Sequence, residues 1–341
     1  MLRFIVRRLL LGLIVLAGVS MITFFIARVI PSEPAARWVG AHATAEQIAA
    51  ARVELGLDQP LYIQYIDYMQ GLVTGDWGQS IRTHQPVLDE LLTFLPSSLE
   101  LIFAGMLIAI LLGIPLGVIS AIRKESWIDH LSRGFSIGGV SIPTFWLALI
   151  LQLLFFQALG ILPLGERVST EVSLLNPIEE QTGFYLLDAL LQGNTVFFTD
   201  ALLHLILPAI TMAAYPLGLI TRMIRSSMVE VMGEEYMRVH QAYGIPRRKR
   251  IYLYALKNAL APTVTSLGLT FAYALTTTFL IEAVFSWPGL GMYASQAILS
   301  SDYPAIMGIT MLVTASYILV NLLVDIVVVL LDPRIKLGEA A

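Results

Sequence analysis

The run Leu101–Ile122 reads LIFAGMLIAILLGIPLGVISAI, carries no charge, and stops at Arg123-Lys124. A helix rises about 1.5 Å per residue, so roughly 20 apolar residues cross about 30 Å of hydrocarbon. This run meets that length by itself. Within it, Gly113-x-x-x-Gly117 suits close contact with another helix, and Pro115 suits a kink.

Working outward, five more stretches pass the same test. One is the uncharged run Leu9–Ala27, and the later helices are expected near 98–122, 134–160, 201–222, 258–282 and 303–331. A soluble core can hide one such helix but not six. Composition agrees: 57% of residues are hydrophobic and 13% charged, against about 45–50% and about 25% in soluble domains. The expected fold is all-α and membrane-integral, with six transmembrane helices. Arg3, Arg7 and Arg8 before the first run also suit a cleaved leader, but the run exceeds the usual length of about 7–15 residues. No A-x-A-like site follows it, so a retained helix is expected.

Lys and Arg set the expected orientation. With the N-terminus inside, sixteen of the 21 basic residues fall on the inner side, including Arg123, Arg133, Arg222, Arg225, Arg247–Arg250 and Lys257. Only Arg28, Arg37, Arg52, Arg82 and Arg167 fall outside. The positive-inside rule then puts both termini in the cytoplasm.

Several chemistries are excluded or weakened. The chain has no cysteine, which removes disulfides, thiolate catalysis and Cys-ligated zinc. His42, His84, His130, His204 and His240 are scattered without metal-ligand spacing. Gly134-Phe135-Ser136-Ile137-Gly138 has the form of a nucleophile elbow, but it opens a membrane helix rather than following a strand. Close packing is the better reading. No aromatic-basic module points to nucleic acid. A phosphate-binding G-x-x-x-x-G-K-[ST] loop is also missing, so uphill transport would draw its energy from another subunit. A stand-alone secondary carrier would show carboxylates at span centres. Here Glu282 and Asp325 fall near span ends, where water is expected close by. Gln152, Gln157 and Asn321 are the interior polar groups expected to line a path or to cross-link helices.

The loops carry the finer signals. Residues 1–31 form the N-terminal segment with the first helix, and 32–97 form an outer loop with short helices. Thr44 with Gln47 makes a capping box, and the helix it starts stops at Gly56. Pro60 opens the next, whose Tyr62, Tyr65, Tyr68 and Met69 suit an interfacial belt or local packing. On the inner side, Ser226–Tyr243 reads as one amphipathic helix with Met228, Met232, Tyr236 and Val239 a turn apart. Gly244 supplies a terminating residue and Pro246 forbids continuation. Arg247 opens the basic run into the fifth span. Helix, break and helix make a rigid elbow; adsorption of that elbow to anionic lipid is the competing reading.

At these residues a resemblance enters. Tyr236 through Gly244, followed by Ala255-Leu256-Lys257-Asn258-Ala259-Leu260-Ala261-Pro262, resembles the EAA loop of type I ABC importer permeases. Glu282-Ala283-Val284-Phe285-Ser286-Trp287-Pro288-Gly289-Leu290-Gly291 resembles a signature of their peptide/nickel subfamily. Leu55–Pro60 and Asp332-Pro333-Arg334 fit the same pattern. Gly165-x-Arg167-Val168-Ser169, Thr182-Gly183-Phe184 and Asp188 resemble the outer loop of B-type dipeptide permeases. Two departures stand out: Val239 and His240 replace the usual residues of the loop, and Ser32-Glu33-Pro34 stands where Gly-Asp-Pro is usual.

The resemblance implies a permease domain over 98–331 with a coupling loop at 226–257, then a cytoplasmic tail at 332–341. It implies a permease without catalytic or metal residues, forming half of a path for di- or oligopeptides. Nickel, putrescine or antimicrobial peptides are the alternative cargoes. Glu235, Tyr236, Arg238, His240, Ala242, Gly244, Pro246 and Arg247 are then the coupling residues. Glu282, Phe285, Trp287, Pro288, Gly289 and Gly291 form the signature. Implied partners are a second permease, two cytoplasmic ATPases holding ATP and Mg, an extracytoplasmic solute-binding protein, and the lipid of a bacterial inner membrane.

Overall fold

The structure, a computed structural model, describes residues 2–29, 34–40 and 42–331. Ser32, Glu33 and the tail with Asp332-Pro333-Arg334 lie outside the described residues. Helices account for nearly all regular structure, and no strand occurs among the described residues.

Helix α1 (Leu2–Val29) is followed by three shorter ones, α2 (Pro34–Val39), α3 (Ala45–Glu54) and α4 (Leu61–Thr74). The Thr44–Gln47 capping box starts α3, and Tyr65 and Tyr68 of α4 pack on Phe24 of α1. Then come α5 (Val87–Ile122), α6 (Trp127–Ser141), α7 (Thr144–Leu151, extended by a π-helical turn to Ala158), α8 (Thr170–Leu175) and α9 (Tyr185–Leu191). The 39-residue α10 (Thr195–Gly233) leads to α11 (Glu235–Ala242) and α12 (Arg247–Lys249). A second π-helical stretch, Arg250–Ala255, joins α12 to α13 (Leu256–Phe285), and α14 (Leu290–Ser300) and α15 (Tyr303–Leu331) complete the chain.

Four helices are long and apolar enough to cross a membrane, and six spans result if each of two bent pairs counts as one. The larger bend corrects a sequence expectation. The stretch expected as a single helix over 134–160 is instead α6 and α7, which meet at 106°. Pro143 lacks an N–H and forces the residue before it out of helical geometry, and Ile142 accordingly sits at ψ 126°. Helix α5 also begins at Val87 rather than near 98, and α10 runs past 222 to Gly233.

Small residues determine how the long helices pack. In lipid an apolar side chain gains little by leaving its surroundings, so close van der Waals contact must hold helices together. A Cβ on Gly105, Gly113 or Gly117 of α5 would strike Met212, Ile220 or Ile224 of α10. The two numbers rise together, so α5 and α10 run parallel. Helix α6 runs antiparallel to α10, with Asp129 bonded to Arg225, Ser136 against Gly218, and Gly139 against Ala214. Ser136 is buried and its hydroxyl donates to the Ser132 carbonyl, so packing is its role. Beyond the bend, Gln152 at the end of α7 bonds Val284 of α13. Helix α15 packs on α13 through Gly268 and Val324, and runs antiparallel to α1 through Gly12 and Ile318. Arg8 pairs with Asp325 at 2.9 Å, and Phe24 packs with Met307.

Candidate functional site

The elbow after α10 is two helices, not the single one expected over Ser226–Tyr243. Glu234, at ψ 151°, interrupts the helix between Gly233 and Glu235 and serves as the N-cap of α11. Its eight residues end in a full Schellman closure. The N–H of Gly244 donates to the Gln241 carbonyl and that of Ile245 to the His240 carbonyl, both at 3.0 Å. Gly244 sits at φ +72°, where a side chain would be strained. Pro246 then caps α12.

Packing sorts the expected coupling residues into two faces. Met237 is buried with Met228, Ile251 and Ala255, and it is the stripe residue where Val239 was expected; Val239 is exposed. His240 lies between the rings of Tyr236 and Tyr254 at 5.6 and 4.3 Å. The Tyr236 hydroxyl accepts from Asn258 at 2.8 Å. Glu235, Arg238, Ala242, Gly244, Pro246 and Arg247 are exposed on the other face. Tyr243, 82% exposed at the tip, joins them. It was absent from the expected coupling set, though a bulky aromatic directly before a terminating glycine is a readable signal.

At the opposite end of α13, the Glu282 segment forms a knot. Water was expected close to this carboxylate; Glu282 is 0% exposed. The reason is that it caps the helix that follows its own. Its Oε2 accepts from the N–H groups of Gly291 and Met292 at 2.7 and 3.1 Å, two of the first N–H groups of α14. Its Oε1 accepts from the Ser98 hydroxyl at 2.6 Å, and Ser98 in turn accepts from the Leu290 N–H at 2.8 Å. Trp287 is buried and donates its indole N–H to the Ser97 carbonyl at 3.0 Å. Pro288 and Gly289 close the turn: a Cβ on Gly289 would lie 2.5 Å from both the Glu282 carboxylate and Ser98. Gly291 passes as closely to Phe279. Phe285, also buried, accepts at its carbonyl from Glu166 at 2.8 Å. The signature residues therefore weld α5, α13, α14 and the loop after α7 together.

An exposed basic elbow stands at one end of long apolar helices and a rigid knot at the other. The family model described as "Binding-protein-dependent transport system inner membrane component" matches residues 113–337. Its N-terminal companion matches residues 1–102. The chain belongs to this family.

Similar family members are transport permeases along their whole length. A probable D,D-dipeptide transport system permease protein of Escherichia coli (strain K12) is 47% identical over 335 residues, 98% of each chain. A di/tripeptide transport system permease protein of Pseudomonas aeruginosa is 43% identical over 98% of this chain and 99% of its own. A glutathione transport system permease protein of Escherichia coli O1:K1 is 33% identical with the same coverage. As a binding-protein-dependent transport component, the chain is a multi-pass protein of the bacterial cytoplasmic membrane.

Within this permease, the three interior amides separate. Gln152 is buried and donates to the carbonyls of Leu164 and Val284 at 2.9 and 3.1 Å, so it cross-links helices rather than facing a path. Gln157 is exposed on the π-helical turn, and Asn321 is half-buried in α15. Sequence reading also missed a buried pair that anchors the loop after α7 to α5. Arg167 donates to Glu100 at 2.5 Å and to the Gly183 carbonyl at 2.9 Å. Its guanidinium lies 3.6 Å from the Tyr185 ring centre, and burial pushes the Tyr185 hydroxyl up from its ordinary pKa. Arg167 was noticed only for its side of the membrane and its place in a loop motif. Its partner lies 67 positions away.

Proposed function

We propose that this chain is one of two permease subunits of an ATP-driven importer and forms half of a translocation path for di- or oligopeptides. The observation that carries the reading is α10 with α11. One continuous helix, ~58 Å long at 1.5 Å per residue, passes the bundle and ends in a short capped helix fixed to it by Met237. Such a rod moves as a unit when its exposed end is pushed.

Six alternating spans with both termini cytoplasmic fit the packing register. Parallel α5 and α10 require the chain between them to return across the bundle, and α6 with α7 reaches from Arg225 to Val284. The elbow end is then cytoplasmic, where Arg and Lys concentrate. Of two ATPases holding ATP and Mg, one docks on Glu235, Arg238, Ala242 and Tyr243. A second permease completes the path, and a solute-binding protein delivers cargo to the outer loops. Closure of the ATPases drives the elbow, and differential contacts in the two states switch access. The similarity to dipeptide, di/tripeptide and glutathione permeases supports peptides as cargo.

The test is reconstitution in liposomes of this chain with the second permease, the ATPases and the binding protein. Dipeptide uptake should require all components and ATP. Uptake by this chain alone, driven by an ion gradient, would overturn the reading.

A further inference from the structure

The Arg28 end of α1 meets α4 and the start of α15 around a cavity of about 490 Å³. Charges of both signs line it without pairing. Arg28 closes the spanning stretch of α1, Glu54 ends α3, and Asp67 stands on α4. Among the described residues these three side chains form no ion pair and no hydrogen bond, and the Arg28 Nε is buried. Asp76 also lines the cavity, but one of its oxygens accepts from the Gly78 N–H. Gln64 adds an acceptor: it is 9% exposed, its amide nitrogen donates to the Gln59 carbonyl at 2.7 Å, and its Oε1 has no partner. A buried polar atom left in this way is costly unless a further group satisfies it. An adjoining recess of about 200 Å³ shares Arg28 and Gln64 and adds Arg52, with no carboxylate on its wall. Depth narrows the choice of ligand. The Tyr65 hydroxyl of α4 shares a hydrogen bond with Ser20 of α1 at 2.9 Å, and Ser20 lies ~12 Å along the helix from Arg28. Trp38, Tyr68, Trp77 and Tyr303 line the cavity, the ring types that favour the headgroup level. Along one stripe of α4, Tyr62, Ile66 and Val73 are exposed.

We propose that this cavity binds the headgroup of a phospholipid carrying both a phosphate and a primary ammonium, as phosphatidylethanolamine does. The inference goes beyond the transport reading and shares only its membrane setting. The phosphate accepts from Arg28, with Arg52 behind it in the recess. The ammonium donates to Glu54, Asp67 and the Gln64 Oε1. A lone anion here would face two unpaired carboxylates, and a lone cation would face Arg28. A group with both signs satisfies each wall. A trimethylated headgroup has no N–H for Gln64, and phosphatidylglycerol brings no cation. A free dipeptide carries the same two charges, but it has no acyl chains to lie against the exposed stripe of α4.

The test uses the full-length chain, purified from membranes in its complex and exchanged into detergent. Equal amounts of phosphatidylethanolamine, phosphatidylcholine and phosphatidylglycerol are added, and native mass spectrometry reads which lipid stays bound. The parent should retain phosphatidylethanolamine above the other two. Arg28→Gln should lower that retention about tenfold, the loss of one charge-assisted contact. Glu54→Gln combined with Asp67→Asn should keep lipid bound but abolish the preference for phosphatidylethanolamine over phosphatidylcholine. The acid variant leaves the α1 span untouched, so it decides the matter even if Arg28→Gln fails to fold. Equal retention of the three lipids by the parent would overturn the inference, as would an undiminished preference in the acid variant. Displacement of the lipid by glycylglycine would give the site to a soluble zwitterion and overturn it too. None of these readouts uses transport, so a failure of dipeptide uptake would count against the permease reading alone.

Discussion

Arg225 grips the carboxylate of Asp129 with two nitrogens, Nε at 2.6 Å and Nη2 at 2.8 Å. The same carboxylate accepts from the Ser120 hydroxyl at 2.6 Å and from the Glu125 N–H at 2.9 Å. Asp129 is wholly buried. One carboxylate thus ties the end of α5 and the start of α6 to α10, two turns before the elbow that α10 carries.

Arg225→Ala leaves that buried carboxylate with only Arg133, 3.9 Å away, as a countercharge. Breaking a buried pair this way costs about 3–5 kcal/mol, so the permease should lose apparent Tm in detergent and accumulate poorly. Replacing both partners, as Asp129→Leu with Arg225→Met, removes the stranded charge. The double variant should melt closer to the parent than Arg225→Ala does. Equal melting of the two variants would show that the pair is not what holds this junction.

Gly289→Ala tests the knot at the other end. Its backbone, at φ −123°, accepts alanine, but the added Cβ meets the Glu282 carboxylate and Ser98 at 2.5 Å. Overpacking of this kind costs about 1–3 kcal/mol, with further loss if the α14 cap opens. Gly134→Ala, inside α6 with nothing within 4 Å of its Cβ, should not destabilise and gains about 0.5–1 kcal/mol of helix preference. Thermal melts of the two variants side by side read the difference.

Gly244 separates geometry from mere presence. Gly244→Pro demands φ near −65° where the chain has +72°, and it removes the N–H that donates to Gln241. Transport-coupled ATP hydrolysis should disappear while membrane insertion persists. Gly244→Asn, a residue that tolerates the left-handed region, should retain most coupling. Normal coupled turnover by the proline variant would remove the elbow from the mechanism.

Tyr243→Ala addresses docking alone, since this ring touches little of its own chain and is 82% exposed. Exposed tyrosines anchor many interfaces, and truncating such an anchor costs about 2 kcal/mol or more. Less ATPase should copurify with the permease, with its melting temperature unchanged. Tyr236→Ala should differ, because that ring packs on His240 and bonds Asn258; it should lower both readouts.

How much of this was legible beforehand depends on the range of the interaction. The Thr44 cap of α3 and the glycine closure of α11 were readable because their donors and acceptors lie within one turn of sequence. The break at Ile142–Pro143 was readable in principle from the proline, but an uncharged run on both sides concealed it. The split at Glu234 had no such marker, and the amphipathic period ran across it. It placed Val239 on the inner face, where Met237 is found instead.

Run lengths free of charge and the positions of Lys and Arg were enough to say membrane, helical and, as an expectation, cytoplasmic at the elbow end. Hydrocarbon thickness and charge transfer act on composition, without reference to what packs against what. The sequence alone placed Glu282 near water; the fold buries it. Its hydroxyl partner Ser98 is 184 positions away, and Arg225 is 96 positions from Asp129. Only the packing of α5 against α13 and of α6 against α10 brings those groups within hydrogen-bond distance. A carboxylate stays buried only where several donors converge on it, and convergence of that kind belongs to the tertiary structure.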